Sequence, residues 1–300
     1  VLLDRMPDPA QKLLLSGGGR CNILPMEGDS FEYITDSSPF VVRNILRSWK
    51  LADVRSFLEQ DVGIHLKVDE DAGKVFVTGG GKEARQRLLE AARKSGVVLV
   101  RSFQVRRLGG EEPFFLTSPQ KRTVRARRVI LACGGQSYPH TGSDGTGIEL
   151  ARAKGHQIVP PYPALTSLIG SRPEHRTLAG LTLTAKVTAQ STSEQSTCED
   201  GFLFTHRGYS GPAVMNTSHV VARARSRREA FQVQVAWTQR TDAAWRALLS
   251  EGKRTVRGVL TREMPDRLAD LLLNEAGLSE VRVATLPRAD RERLIGLLTT

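Results

Sequence analysis

The residues best suited to chemistry fall in four short stretches. Lys12 to Asn22 reads Lys-Leu-Leu-Leu-Ser-Gly-Gly-Gly-Arg-Cys-Asn. The consecutive glycines Gly17, Gly18 and Gly19 permit backbone conformations that aim N–H groups at one point. Arg20 adds a planar donor fork suited to a phosphate or carboxylate. Ser16, Cys21 and Asn22 are small polar groups able to reach a planar ligand. In the second stretch, Leu131-Ala-Cys-Gly-Gly-Gln-Ser-Tyr-Pro139, an apolar run ends in Gly134 and Gly135, where another backbone or a ligand can come close. Small residues continue from Thr141 to Gly147 and lead into a helix start, a natural anion site. An ordinary tight strand-to-helix turn accounts for the same glycines. Asp4 follows the apolar Val1-Leu2-Leu3, where an acid would accept hydrogen bonds from ribose hydroxyls; a plain strand end is the alternative. In the fourth stretch, His206-Arg-Gly-Tyr-Ser-Gly-Pro212, His206 and Tyr209 could move a proton, or merely stabilise a turn.

Other chemistries are disfavoured. Cys21, Cys133 and Cys198 are scattered and odd in number, with neither disulfide nor metal spacing, which favours a reducing cytoplasm. Cys21 has no partner cysteine two residues away and reads as a buried structural thiol. The six histidines show no metal-ligand spacing, so no metal site is expected. No apolar run approaches the roughly 20 residues needed to span a membrane. The net charge of +11 is mostly arginine. The dense cluster Arg223 to Arg228 lacks interleaved aromatics and reads as a solvated face, so no nucleic-acid partner is expected. No G-x-G-x-x-G occurs; Gly142-Ser-Asp-Gly-Thr-Gly147 has its spacing reversed.

These stretches need elements to position them. Val1 to Leu3 and Val129 to Ala132 read as strands, the second one buried. A helix is expected over Ile148 to Lys154, with Gly155 past its end. Two amphipathic helices are expected between 40 and 60, with Phe40, Val41, Ile45, Leu46 and Trp49 forming a core-facing stripe. A strand pair within 64–77 and a helix from Lys82 to Ser95 precede three strands at 97–107, 113–118 and 122–132. Pro160-Pro-Tyr-Pro163 marks a boundary. Beyond it come strands at 181–190, 201–205 and 231–237, and a helix from Ala213 capped by Ser210, with Pro212 in its first turn. The pattern is helical from Asp242, with Pro265 and Pro287 opening two helices. The division expected is 1–159, a β-rich unit at 160–238 and a helical unit at 239–300.

Three blocks together, Lys12 to Asn22, Leu131 to Pro139 with Thr141 to Ser143, and Phe202 to Ala213, resemble the bacterial FAD-dependent oxidoreductases that include aminoacetone-oxidase-like and BaiN-type bile-acid-pathway flavoproteins. The resemblance implies an α/β fold: a glutathione-reductase-type, Rossmann-like FAD-binding domain carrying an inserted β-barrel and helical part. It implies FAD, with NAD(P)H as candidate reductant, and electron transfer to or from a small organic substrate. Carried over, Asp4 meets the adenosine ribose and the Val105 backbone the adenine. Lys12 and Ser16 to Asn22 line the pyrophosphate and flavin, and Gly134 and Gly135 pass close to the cofactor. The family's first strand, its G-x-G-x-x-G and its closing Gly-Glu segment have no counterpart, so the chain is expected to be trimmed at both ends. Gly145-Thr-Gly147 stands where the family has Gly-Asp-Gly. Two rival readings are a flavoprotein fold that has lost its cofactor and serves as a scaffold, and a non-specific nucleic-acid binder.

Overall fold

The computed structural model describes residues 1–28, 33–36, 38–170, 172–250, 252–278 and 280–299. The chain divides into two compact units, Val1–Pro161 and Tyr162–Thr300.

The first unit opens with β1 (Leu2–Leu3), α1 (Gln11–Leu15), β2 (Asn22–Pro25), α2 (Pro39–Ser48) and α3 (Leu51–Ser56). Then come β3 (Leu66–Asp69), β4 (Lys74–Val77), α4 (Gly80–Lys94) and β5 (Leu99–Val100). β1 and β5 pair in parallel, Leu2 opposite Leu99. Parallel pairing needs a crossover, supplied here by the segment that includes α1 and α4. β2, which the sequence reading missed, pairs with β4, and β4 with β3, all antiparallel. Cys21, Leu58, Val62, Ile64, Val77 and Ala84 form the core beneath them. α4 starts at Gly80, two residues before the expected Lys82. Glu83 explains this start: its Oε2 accepts the Gly79 N–H at 2.8 Å, satisfying a free donor at the helix end. Gly96, at φ +77°, turns the chain away after it.

The unit continues with β6 (Arg107–Gly109), β7 (Phe114–Thr117) and β8 (Thr123–Ala126), an antiparallel meander, and α5 (Thr146–Ala153). Three expectations are corrected here. Val129 to Ala132 is not a strand: it pairs with nothing among the described residues, and Ile130 is 91% exposed. An apolar run becomes a buried strand only beside a partner strand, and none lies alongside. The strand expected over 97–107 shrinks to β5 and β6, because Ser102 to Phe103 fold back onto Asp4 and Met6. The α2 stripe is not core. Phe40, Val41, Ile45 and Trp49 are all at least half exposed, since an amphipathic pattern encodes a face and not what covers it.

The second unit holds β9 (Leu168–Ile169), β10 (Thr182–Ser191), β11 (Gln195–Thr205), β12 (Gly208–Ser210), α6 (Pro212–Arg227) and β13 (Phe231–Ala236). Four helices follow: α7 (Asp242–Leu248), α8 (Val256–Leu260), α9 (Asp266–Ala276) and α10 (Arg288–Thr299). Among the described residues the strands form one antiparallel sheet in the order β13-β10-β11-β12-β9, with no pairing recorded between β13 and β9; the resemblance implied a β-barrel here. Alternation along β10 buries Ala185, Val187 and Ala189. The sheet and the four helices share one core, with Phe202, Phe204, Trp245, Leu268 and Leu294 all but fully buried. Each such side chain contributes about 1.5–3 kcal/mol relative to exposure. Pro212 opens α6 as expected, but the residue at the cap is Gly211 and not Ser210. Gly211 has φ +93°, and a Cβ there would strike the Gly201 carbonyl. The Ser210 hydroxyl instead meets Ser167.

Candidate cofactor site

The end of β1 anchors the site. The Asp4 N–H donates to the Val100 carbonyl at 3.0 Å, and the Asp4 carbonyl accepts from Phe103 N–H at 2.9 Å. Asp4 Oδ1 accepts the Met6 N–H at 2.8 Å. Val105 lies half-buried in the irregular segment that follows Phe103.

The loop from Cys133 to Gly147 lies over this end of β1. Arg5 pairs with Asp144, and a Cβ on Gly142 would come within 2.9 Å of the Met6 side chain. The loop closes on itself through the Gly145 N–H, which donates to the Gly135 carbonyl at 3.1 Å. Gly147 packs against Cys133, leaving no room for a side chain. Gly134 has φ +71°, and its missing Cβ would lie 2.8 Å from the Ser143 hydroxyl and 3.9 Å from the Lys12 ammonium. Lys12 is half-buried, and no carboxylate pairs with it among the described residues. Asp4, Lys12, Gly134 and Gly135 are thus gathered at one place.

Charge is strongly organised here. Hydrogen bonds from the Thr146 hydroxyl, at 2.6 Å, and from Arg5 hold the Asp144 carboxyl far below the usual carboxylate range. Cys133 is exposed by surface area, yet packing around its sulfur, then the charge of Asp144, pushes its thiol up. Beside the loop opens a cleft of about 690 Å³ lined by Arg106, Arg107, Gln136, Asp144, Thr146 and Lys154 among others.

Ser16 to Asn22 takes another form. Gly17, Gly18 and Gly19 all have positive φ, and the turn closes on itself: Cys21 N–H donates to Ser16 O, and Ser16 Oγ to Asn22 O, both at 2.9 Å. Cys21 is fully buried in the core, which pushes its thiol up. Arg20 lies over the Phe76 ring, 4.4 Å from its centroid, and faces Asp69 at 3.7 Å with its side chain 67% exposed. Its guanidinium is engaged by Phe76 and Asp69, and the rest of the side chain stays largely in water. Gly80 and Gly81, which sequence reasoning passed over, hold α4 against this turn: a Cβ on either would collide with the carbonyl of Gly19 or of Leu13. Arg5 was also missed, and Ser143, part of a block that carries the resemblance, was given no role. The Gly79-Gly-Gly81 run and the charge directly after Asp4 were the available signals.

The two proton-transfer candidates of the second unit are not brought together. His206 sits exposed in the turn between β11 and β12, where Thr205 Oγ1 accepts the Gly208 N–H at 3.0 Å. Tyr209 points inward. Its hydroxyl meets His175 Nδ1 at 2.8 Å, His175 Nε2 meets Glu275 Oε1 at 3.1 Å, and Arg172 donates to Glu275 Oε2 at 2.6 Å. Burial, and to a lesser degree Glu275 and Glu174, push the Tyr209 hydroxyl up, against the opposing pull of Arg172.

Among the described residues no cluster could hold a metal ion, and no helix is long and apolar enough to cross a membrane. The chain is 24% identical to the ribosomal RNA dihydrouridine synthase of Escherichia coli K12, aligned over 100% of this chain and 73% of that protein. It is 26% identical to the protein of the same name from Haemophilus influenzae, over 92% of this chain and 70% of that one. It is 28% identical to the 3-dehydro-bile acid delta(4,6)-reductase of Clostridium scindens, over 81% of this chain and 59% of that one. Residues 1–272 match the family described as HI0933-like protein Rossmann domain, and the chain belongs to that family.

Proposed function

We propose that this protein is an FAD-dependent oxidoreductase that adds hydrogen across a carbon–carbon double bond of its substrate. The observation that carries the reading is the meeting of Lys12 with Gly134: a half-buried cation that has no acidic partner among the described residues, beside backbone stripped of side chain. That pairing fits a pyrophosphate, which needs charge and close backbone approach. Asp4 and the Val105 backbone would face the adenosine, and Lys12, Gly134 and Gly135 the pyrophosphate. The Ser16–Asn22 turn would form a wall of the site, with Arg20 bracing it through Phe76. When bound, the flavin supplies the hydride, after reduction by NAD(P)H. The second unit, read as an insert, would govern the choice of substrate. The names of the relatives, dihydrouridine synthase and delta(4,6)-reductase, both describe hydrogen added across such bonds, and they support the reaction class for this chain.

The test is spectroscopic. The protein expressed from its whole open reading frame should purify yellow, release FAD on heating, and bleach anaerobically with NADPH or NADH. A colourless product that gains no thermal stability from added FAD rejects the proposal and favours a scaffold.

A further inference from the structure

We infer that RNA, the substrate class printed in the names of two relatives, would dock on this chain as a single strand along the outer face of the β6–β8 meander. This deepens the proposed function by assigning that substrate class a surface, and it rests on that reading only for the chemistry after binding. Residues 101–128 carry eight Lys and Arg against two acids, Glu111 and Glu112, so this short segment holds +6 of the chain's net +11. None of the eight pairs with a carboxylate among the described residues. The cluster that stood out in the sequence behaves differently: Arg223 pairs with Glu194 and Arg227 with Glu229. The expectation that nucleic acid is not a partner rested on basic residues spread along the chain and on that cluster's lack of interleaved aromatics.

Strand register sorts the meander into two faces. Leu108, Leu116 and Val124 are aligned and turn inward, with Leu116 8% exposed. On the other face Arg107 aligns with Thr117 and Thr123, and Phe115 with Arg125. Phe115 is 42% exposed, leaning over Gly110, where a Cβ would come within 3.0 Å of its ring. Arg127 continues the same alternation and is exposed. An exposed aromatic flanked by arginines that pair with no carboxylate among the described residues is what single-stranded nucleic acid uses: bases stack on the ring while phosphates meet the guanidiniums. A duplex would hide its bases from Phe115, and an acidic peptide would leave the ring unused. Arg106 and Arg107 also line the cleft beside the Gly134 loop, so the surface runs up to the candidate cofactor site.

The experiment is fluorescence anisotropy with a 5′-fluorescein single-stranded RNA of about 12 nucleotides, within usual site sizes. Binding is titrated at salt between about 50 and 200 mM. The Arg125→Ala/Arg127→Ala protein should bind more weakly and flatten the log–log salt slope by about 1.4, the loss of two phosphate contacts to a single strand. Phe115→Ala should weaken binding about 5- to 100-fold, and Phe115→Tyr should restore it. Arg225→Ala/Arg227→Ala should match wild type. Equal weakening by the Arg225/Arg227 pair, or wild-type binding by Phe115→Ala, overturns the inference. So does equally tight binding of duplex RNA or of a poly-glutamate peptide. Circular dichroism of each variant checks folding, which these exposed positions should not disturb. FAD content, read separately on the same variants, should stay at wild-type level. Loss of flavin from wild type would reject the proposed function alone, and loss of RNA binding alone would reject this surface.

Discussion

The Lys12 ammonium lies 3.9 Å from the point where a Cβ on Gly134 would stand, and the Ser143 hydroxyl lies 2.8 Å from that point. Two motifs more than a hundred residues apart in the sequence therefore share one small space. Gly134→Ala should be costly twice over. The left-handed backbone costs an L-residue about 1–2 kcal/mol, and the new methyl must displace Ser143. Thermal denaturation should show that loss, and flavin occupancy should fall with it. An alanine protein of unchanged stability and occupancy would show that the loop relaxes freely.

Glu83 should make the stability of the first unit depend on acid. Its carboxyl is held below the usual range: burial opposes this, but hydrogen bonds from His65 and from the Gly79 backbone prevail. A depressed folded-state value means the stabilisation is fully present above the ordinary glutamate range and is lost as pH falls below that range and through the folded-state value. Glu83→Gln should cost about 1 kcal/mol at pH 7 and progressively less as acid protonates Glu83. Chemical denaturation of both proteins across that range checks it; a pH-independent difference would mean that the charge is irrelevant.

Glu275 bridges Arg172 and His175 beneath Tyr209. Glu275→Ala strands both donors and should destabilise the protein by about 1–3 kcal/mol. Tyr209→Phe removes one hydroxyl and should cost about 1 kcal/mol. If Tyr209 only braces the sheet, its phenylalanine variant will retain full turnover once folded; a loss of turnover at unchanged stability would assign it to proton transfer.

Cys21 is fully buried and Cys133 exposed. Under native conditions iodoacetamide should label Cys133 and spare Cys21, with Cys21 reacting only on unfolding. Rapid native labelling of Cys21, read by peptide mass spectrometry, would contradict the packing of the Ser16–Asn22 turn.

What the sequence made legible were local rules. Pro212 marks a helix start because proline suits a first turn, Pro265 and Pro287 stand immediately before α9 and α10, and Gly96 and Gly155 mark ends. The Lys12–Asn22 block was legible as a special turn, since three glycines before Arg-Cys-Asn serve no flexible linker. What the Arg20 fork touches was not legible, because Phe76 and Asp69 lie about fifty residues away in the sequence. The fate of Val129 to Ala132 was hidden for the same reason: burial depends on a neighbour in space. The basic meander escaped notice because strand alternation and two turns dilute its charges along the chain, while pairing in register concentrates them on one face.

The most direct measurement compares FAD affinity of Lys12→Ala and Arg20→Ala, each titrated as apoprotein from the whole open reading frame. A charge-assisted contact to a phosphate contributes about 1.5–3 kcal/mol, so Lys12→Ala should lose roughly tenfold to hundredfold in affinity. Arg20, spread over Phe76 and facing Asp69 in water, should lose less than about fivefold, as exposed pairs contribute at most about 1 kcal/mol. Equal affinities for Lys12→Ala and wild type, or a larger loss for Arg20→Ala, would contradict the placement of the cofactor between Lys12 and Gly134.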